Sequence, residues 1–165
     1  MVAKYLPAAK KDPSDLRARY FLLYASMLAG IGFDNGLLHL THALEHPLSG
    51  VKPELSHGSG LGIILPGIIR EIYPVKGEVL ADVLSPIVPG LKGGATEAEA
   101  AAAGVRRWLS EMGVPENLRA EAFAETDVEK LVDLAFNTPS LDGLLGLSPV
   151  EATREVVTRI YAKAM

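Results

Sequence analysis

Apolar positions recur at intervals of three and four residues along most of the chain, while the two-residue alternation of a half-buried strand is nearly absent. The clearest example runs from Gly58 to Tyr73. Its apolar residues at helical spacing are Leu61, Ile64, Leu65, Ile68, Ile69 and Ile72. This pattern predicts a buried helix, and Pro66 inside it is a candidate for a kink.

Start and stop signals divide the rest of the chain into further helices. Asp12-Pro13 predicts the start of a helix that ends near Gly30. Thr96 and Glu99 form a capping-box pattern that opens a helix to about Met112. The other predicted helices run from Leu37 to His46 with a stop at Pro47, from Gly77 to Ile87, from Asp127 after a Thr126 cap to about Phe136, and from Ser148-Pro149 nearly to Met165. We therefore predict an all-α fold of six to eight helices that forms a single domain over residues 1–165.

The composition narrows the class of protein. Hydrophobic residues make up 48% and charged residues 22% of the chain, which is ordinary for a folded soluble protein. The net charge of −4 and the scattered basic residues argue against a nucleic-acid partner. The longest apolar stretch, Phe21 to Phe33, is shorter than the roughly 20 residues of a membrane helix, so we expect it to form a buried helix. The absence of cysteine excludes thiolate catalysis and a cysteine zinc site, and no secretory signal follows Met1. We expect a cytoplasmic protein without a membrane partner.

All four histidines lie between positions 39 and 57. At about 100° per residue, His42 and His46 are about 40° apart on a helix and His39 is within about 20° of His46. An i, i+4 histidine pair lets two ring nitrogens approach one metal ion, and neutral imidazole suits zinc and iron. His57 follows a loop that lets the chain reverse toward the same cavity. The alternative is that these histidines are surface residues or are packed in the core and bind no metal. The spacing also leaves open which two or three of the four would bind.

Three segments in this region carry a family resemblance. Leu28–Asn35, His42–Ser49 and the stretch from His57-Gly58 to Pro66 resemble the signature of iron-containing alcohol dehydrogenases. In that signature, histidine-alanine is followed after two residues by histidine-proline-leucine and, further on, by histidine-glycine. Residues 96–115 and 137–139 resemble the rest of that family's C-terminal domain more loosely. The resemblance implies an all-α, multi-helix bundle of the dehydroquinate synthase-like, iron-dependent alcohol dehydrogenase C-terminal type.

The resemblance also implies roles for individual residues. His42 and His57 match two metal-binding histidines, for Fe(II) or Zn(II). His46 matches a histidine beside the nicotinamide, which makes it the candidate for cofactor contact and for a catalytic proton relay. The metal would polarise the oxygen of a small alcohol or aldehyde substrate, and hydride would pass to or from NAD or NADP. Neither the choice of metal nor the choice of nicotinamide follows from the sequence.

Two departures from the family pattern limit this interpretation. His39 stands where the family commonly has a small residue, and we favour packing or substrate contact over metal binding for it. The family also has an N-terminal half with a glycine-rich phosphate loop and two further metal ligands. Here the glycines of residues 58–62 follow no predicted strand, so we interpret them as sites of close helix packing. We therefore expect the N-terminal nucleotide-binding domain to be absent, and the chain to need that half as a partner and to be inactive alone. We also expect a homo-oligomer.

Two other functions stay open beside the dehydrogenase. The first is a non-catalytic helical binding or assembly module that keeps the fold. The second is a metal-dependent hydrolase that uses His39, His42 and His57. Glu45, about 60° from His42 on the helix, is either a partner of a metal-binding imidazole or a solvated or ion-paired carboxylate.

Overall fold

The computed structural model describes every residue from Met1 to Met165, and it contains α-helices, short 3₁₀ turns and no strand. The eight α-helices are α1 Val2–Lys11, α2 Leu16–Asn35, α3 Leu40–Val51, α4 His57–Leu84, α5 Ala98–Met112, α6 Val128–Asn137, α7 Leu141–Gly146 and α8 Arg154–Ala164. The 3₁₀ turns are Ala95–Glu97, Leu118–Glu121 and Glu125–Asp127. The prediction of an all-α fold with six to eight helices is confirmed.

The chain divides into two compact units, residues 1–37 and residues 38–165, and the single-domain interpretation stays a prediction. The first unit is the helix pair α1 and α2, in which the rings of Tyr5 and Phe21 stack with centroids 4.4 Å apart. The predicted helix start at Asp12-Pro13 is wrong. The Asp12 carboxylate accepts a hydrogen bond from the Ser14 amide in the turn, and Asp15 caps α2 by accepting from the Ala18 amide at 2.9 Å.

The apolar side chains of α2 are largely exposed, so the expected burial of Phe21 to Phe33 is wrong for this structure. Leu23 is 72% exposed and Phe33 is 55% exposed, and Ala18 is the one residue of α2 that is buried. A ten-residue helix such as α1 can cover only part of the twenty-residue α2. No single helix is both long enough and apolar enough to cross a membrane, and α2 and α3 reach that length and hydropathy only when counted together across their break.

In the second unit, α4 is the central helix and packs against α3, α5 and α8. One core cluster joins the first half of α4 to α3, α6 and α8. Its largest fully buried side chains are Leu40, Leu44, Leu48, Ile63, Ile64, Ile68, Leu118, Leu131, Ile160 and Tyr161. A smaller cluster lies between α4 and α5 and contains Ile69, Tyr73, Leu84, Val88, Ala101 and Val105. The helical spacing of the isoleucines in α4 therefore places that helix in the core, as predicted.

Prolines end neither α3 nor the first half of α4. Pro47 is buried inside α3, which continues to Val51 instead of stopping at His46. Pro66 is buried inside α4 without a break, and the non-helical residue of this helix is Lys76, two residues after Pro74. A proline removes one amide donor and crowds the preceding turn, and the apolar contacts of these two buried prolines offset that cost.

The caps of the later helices differ from the predicted ones. Glu97, not Glu99, closes the turn before α5, because its carboxylate accepts from the amides of Lys92 and Gly94, both at 2.9 Å. Glu99 instead makes a two-bond ion pair with Arg70 of α4.

The last helix also starts later than predicted. It begins at Arg154, where Thr153 accepts from the Val156 amide, and not at Ser148-Pro149.

Candidate metal centre

Helix α3 and the first residue of α4 bring three of the four histidines together. His42 and His46 lie one turn apart on α3, and His57 is the first residue of α4. The ring centroids of His42 and His57 are 5.4 Å apart, those of His46 and His57 are 5.7 Å apart, and those of His42 and His46 are 6.3 Å apart. The chain reverses over residues 52–56, a shorter loop than expected, and the buried Leu55 anchors it to the core.

This arrangement fits a first-row transition metal. Two imidazoles that bind one ion at about 2.0–2.1 Å per nitrogen have ring centroids about 5 Å apart, close to the separation of His42 and His57. Burial lowers the pKa of His42, the neighbouring imidazoles of His57 and His46 lower it further, and the Glu45 charge opposes them. A lowered pKa favours the neutral ring, which is the form that binds a metal.

Glu45 lies against His57, and its side chain is completely buried. Its Oε1 accepts a hydrogen bond from the Ser49 hydroxyl at 2.6 Å, and its Oε2 forms an ion pair with Nδ1 of His57. Gly60 on α4 leaves room for this carboxylate, since a Cβ there would lie 2.7 Å from Oε1. Of the predicted roles, the solvated carboxylate is therefore wrong, and the ion pair with His57 makes Glu45 a partner of that imidazole.

A second combination of donor atoms is present at the same place. One donor atom each from Glu45, His46 and His57 lie within 4.8 Å of one another. Oε1 of Glu45 accepts a hydrogen bond from Ser49, and Oε2 lies against Nδ1 of His57 and has no other donor, so the contacts place Glu45 as a partner of His57. Sequence reasoning missed Ser49, although the i, i+4 spacing of Glu45 and Ser49 was a usable signal. The predicted close helix packing is confirmed at Gly60, which faces α3, and is wrong at Gly58, where a Cβ would meet no atom within 4 Å.

His39 stands apart from the other three histidines in its backbone. It is the N-cap residue of α3 with φ −137° and ψ −147°, so the helical angle used to align it with His46 does not apply. Its half-buried ring leaves a buried Nδ1 without a hydrogen-bond partner, and burial lowers its pKa. Packing or substrate contact stays the prediction for this residue.

The helical core and the three converging imidazoles define an all-α domain with a candidate metal centre between two helices. Comparison with known families gives the same class a name. Residues 1–165 match the model of the Fe-containing alcohol dehydrogenase family, C-terminal part, and the chain belongs to this family.

Individual relatives agree with the family match. The chain is 59% identical over 164 residues to the long-chain primary alcohol dehydrogenase AdhA of Thermoanaerobacter ethanolicus, covering 99% of this chain and 41% of that protein. It is 29% identical to the 1,3-propanediol dehydrogenase of Klebsiella pneumoniae, covering 99% of this chain and 42% of the relative.

Solved structures show the same fold. The archaeal halo-thermophilic Red Sea brine pool alcohol dehydrogenase ADH/D1 superposes with a TM-score of 0.88 at 24% identity. A 1,3-propanediol oxidoreductase superposes with a TM-score of 0.86 at 29% identity. Each comparison covers 99% of this chain and 42% of the solved chain, so the chain spans about two fifths of the length of these relatives.

Proposed function

We propose that this chain is the metal-binding C-terminal part of an iron-dependent alcohol dehydrogenase, which transfers hydride between an alcohol or aldehyde and NAD or NADP. The observation that carries the proposal is the convergence of His42 and His46 of α3 with His57 at the start of α4, in a chain that matches the family over its whole length. The 59% identity to a long-chain primary alcohol dehydrogenase supports primary alcohols as the substrate class.

The proposal assigns a role to each histidine of the cluster. His42 and His57 each give one neutral ring nitrogen to Fe(II) or Zn(II). When bound, that ion acts as a Lewis acid on the alcohol oxygen and lowers the pKa of the hydroxyl. His46 has an exposed side chain beside the His57 ring, which suits it to pass the hydroxyl proton to solvent and to contact the nicotinamide.

Cofactor binding, in this proposal, depends on a nucleotide-binding half that acts with this chain. The 165 described residues contain no strand, so they contain no strand-to-helix turn of the kind that cradles a dinucleotide phosphate. We therefore propose that the isolated chain is inactive, and that the working enzyme is a cytoplasmic homo-oligomer.

An anaerobic calorimetric titration with Fe(II) and Zn(II) tests the metal site. Wild-type chain should bind one ion per chain with micromolar or tighter affinity. His42→Ala should lose that binding, whereas His39→Ala, which changes a histidine outside the cluster, should keep it. Absence of binding by the wild type would mean either that the site needs ligands from outside this chain or that the chain is the non-catalytic helical module, and catalysis by this chain alone would then be rejected.

Activity measurements test the role of His46. Supplied with a nucleotide-binding half, the wild-type chain should reduce NAD or NADP with a primary alcohol. His46→Ala should retain the metal and lower the rate by roughly 10²- to 10⁴-fold, the usual contribution of a general acid–base group. An unchanged rate would remove His46 from the mechanism.

A further inference from the structure

We propose that Glu45 is the positioning residue of the metal centre: its buried carboxylate accepts the Nδ1 proton of His57 and so turns the Nε2 lone pair of that ring toward the metal. The proposal rests on the proposed function only in taking His57 as a ligand. The orientation of the ring is a property of the metal-free chain and can be measured by itself.

The surroundings of Glu45 are unusual for a carboxylate. Glu45 is 0% exposed and is the one charged side chain in the buried set, which otherwise consists of apolar residues. An isolated ionised carboxylate at such a position is costly, so it needs partners that donate to it. The Ser49 hydroxyl donates to Oε1, and Nδ1 of the His57 ring lies against Oε2, an oxygen to which no other group donates.

Ser49 and Gly60 hold the carboxylate in one orientation. Ser49 follows Glu45 by one turn of α3 and holds Oε1 at 2.6 Å, which leaves Oε2 for His57. Gly60 follows His57 by nearly one turn of α4, and a Cβ there would meet Oε1 at 2.7 Å, Cγ at 2.9 Å and Cδ at 3.2 Å. Even one methyl group at position 60 would therefore displace the carboxylate from its present position.

His57 needs such a partner because little else restrains its ring. The side chain is 48% exposed, and a free neutral imidazole exchanges its proton between both nitrogens. A carboxylate on Nδ1 selects the Nδ1–H tautomer, which leaves the lone pair on Nε2, on the far side of the ring. Without the carboxylate, the ring can turn and can carry its proton on the nitrogen that the metal needs.

Two variants break the contact from opposite helices. Glu45→Leu removes the carboxylate at similar volume, and Gly60→Ala displaces it without changing any ionisable group. The matched control is Glu71→Gln. Glu71 lies on α4 and is also a mostly buried carboxylate, but it pairs with Arg159 and not with a histidine. Far-UV circular dichroism and urea unfolding identify any variant that has lost its fold, and either of the two variants suffices for the test.

The first readout is the His57 tautomer in the metal-free chain, from long-range ¹H–¹⁵N NMR at a mildly alkaline pH. We expect Nδ1–H in the wild type and in Glu71→Gln, and mainly Nε2–H in Glu45→Leu and Gly60→Ala. A residue that only pins α3 to α4 would change the stability and leave the tautomer as it is. The same tautomer in wild type and variants would overturn the proposal.

The second readout is Zn(II) affinity by chelator competition. Glu45→Leu and Gly60→Ala should bind Zn(II) roughly 10- to 100-fold more weakly, as is typical when the partner of a ligating histidine is lost. Glu71→Gln should match the wild type, and equal affinity in all four proteins would refute the positioning role. Failure of the wild type to bind Zn(II) would rule out a metal site formed by this chain alone, while the tautomer would still decide whether Glu45 orients His57.

Discussion

One buried hydrogen bond connects the last helix to the helix that carries His42 and His46, and Tyr161→Phe removes it. Tyr161 of α8 is 0% exposed, and its hydroxyl donates to the Leu44 carbonyl at 2.6 Å. Burial raises the pKa of Tyr161, and the nearby Glu45 charge raises it further. The hydroxyl is therefore a permanent donor, and phenylalanine deletes that donor while keeping the ring.

The expected loss follows from this geometry. Because the ring stays, no cavity forms, and the Leu44 carbonyl keeps its helical position in α3, so the cost is that of one buried hydrogen bond. A net hydrogen bond contributes about 0.5–1.5 kcal/mol, and full burial places this one toward the upper end of that range. We expect Tyr161→Phe to lower the free energy of unfolding by about 1–2 kcal/mol. For a protein of this size, that corresponds to a fall in Tm of roughly 2–8 °C.

Tyr73→Phe is the matched control. Tyr73 is also 0% exposed, but its hydroxyl donates to Oε2 of Glu97 over 3.2 Å, a long distance for such a bond. That carboxylate keeps two amide donors, from Lys92 and Gly94, when the hydroxyl is removed. We therefore expect a loss below about 1 kcal/mol.

Urea unfolding followed by far-UV circular dichroism, with m-values compared, measures both losses. A loss for Tyr73→Phe that equals or exceeds the loss for Tyr161→Phe would refute the reasoning.

Three further predictions concern positions away from the histidines. Gly143→Ala should stabilise the chain by about 0.5–1 kcal/mol in urea unfolding, because a Cβ at this position of α7 meets no atom within 4 Å; a loss of stability would show that the site is not open. Asp15→Ala should lower helix content or stability by about 0.5–2 kcal/mol, measured by circular dichroism during thermal melting, because its side chain caps α2 through the Ala18 amide; an unchanged melt would contradict that cap. The hydrogen bond from Arg159 lowers the pKa of Glu71 in the folded chain below its unfolded value of 4.5. The stabilisation from this pair is therefore present above pH 4.5 and is lost as the pH falls through the folded-state pKa. Urea midpoints measured as a function of pH should therefore fall less steeply below 4.5 for Arg159→Gln than for wild type, and parallel curves would argue against the pair.

The class of fold could be predicted from the sequence because the period of the apolar residues is a local property. The isoleucines of α4 share one face whatever the rest of the chain does, and that face is buried. The helix caps were harder to predict than the fold class. Glu97 and Glu99 are both acidic residues within one turn of Thr96, and the choice between them depends on Arg70, which the fold brings to Glu99 from α4.

The predicted helix end at Pro47 and the predicted kink at Pro66 were wrong for a related reason. A proline weakens a helix wherever it stands, but whether the helix ends there depends on what the surrounding residues bury. Pro47 and Pro66 sit among core residues, and their helices continue through them. The break in α4 falls at Lys76, where Val75 and Val79 on either side are exposed. In α3 and α4, the helix continues through the two buried prolines and breaks after the exposed Pro74, and burial is a tertiary property.

The candidate site was also only partly predictable. Its histidines could be found from the sequence, but the contacts that hold them depend on how the helices pack. The histidine cluster could be predicted from residue type and i, i+4 spacing, and His42, His46 and His57 do converge; metal binding by them stays a prediction. Glu45 was ambiguous, since on the helix it lies about 60° from His42, between the apolar face and the histidine face. A carboxylate at such a boundary is either solvated or buried beneath the ligands, and the opposite helix decides between the two. Here Gly60 is the deciding residue, because any side chain at that position would fill the space of the carboxylate. A glycine facing the boundary carboxylate of a histidine helix is therefore the sequence feature that, once the helix pairing is known, points to a buried carboxylate beside the histidines.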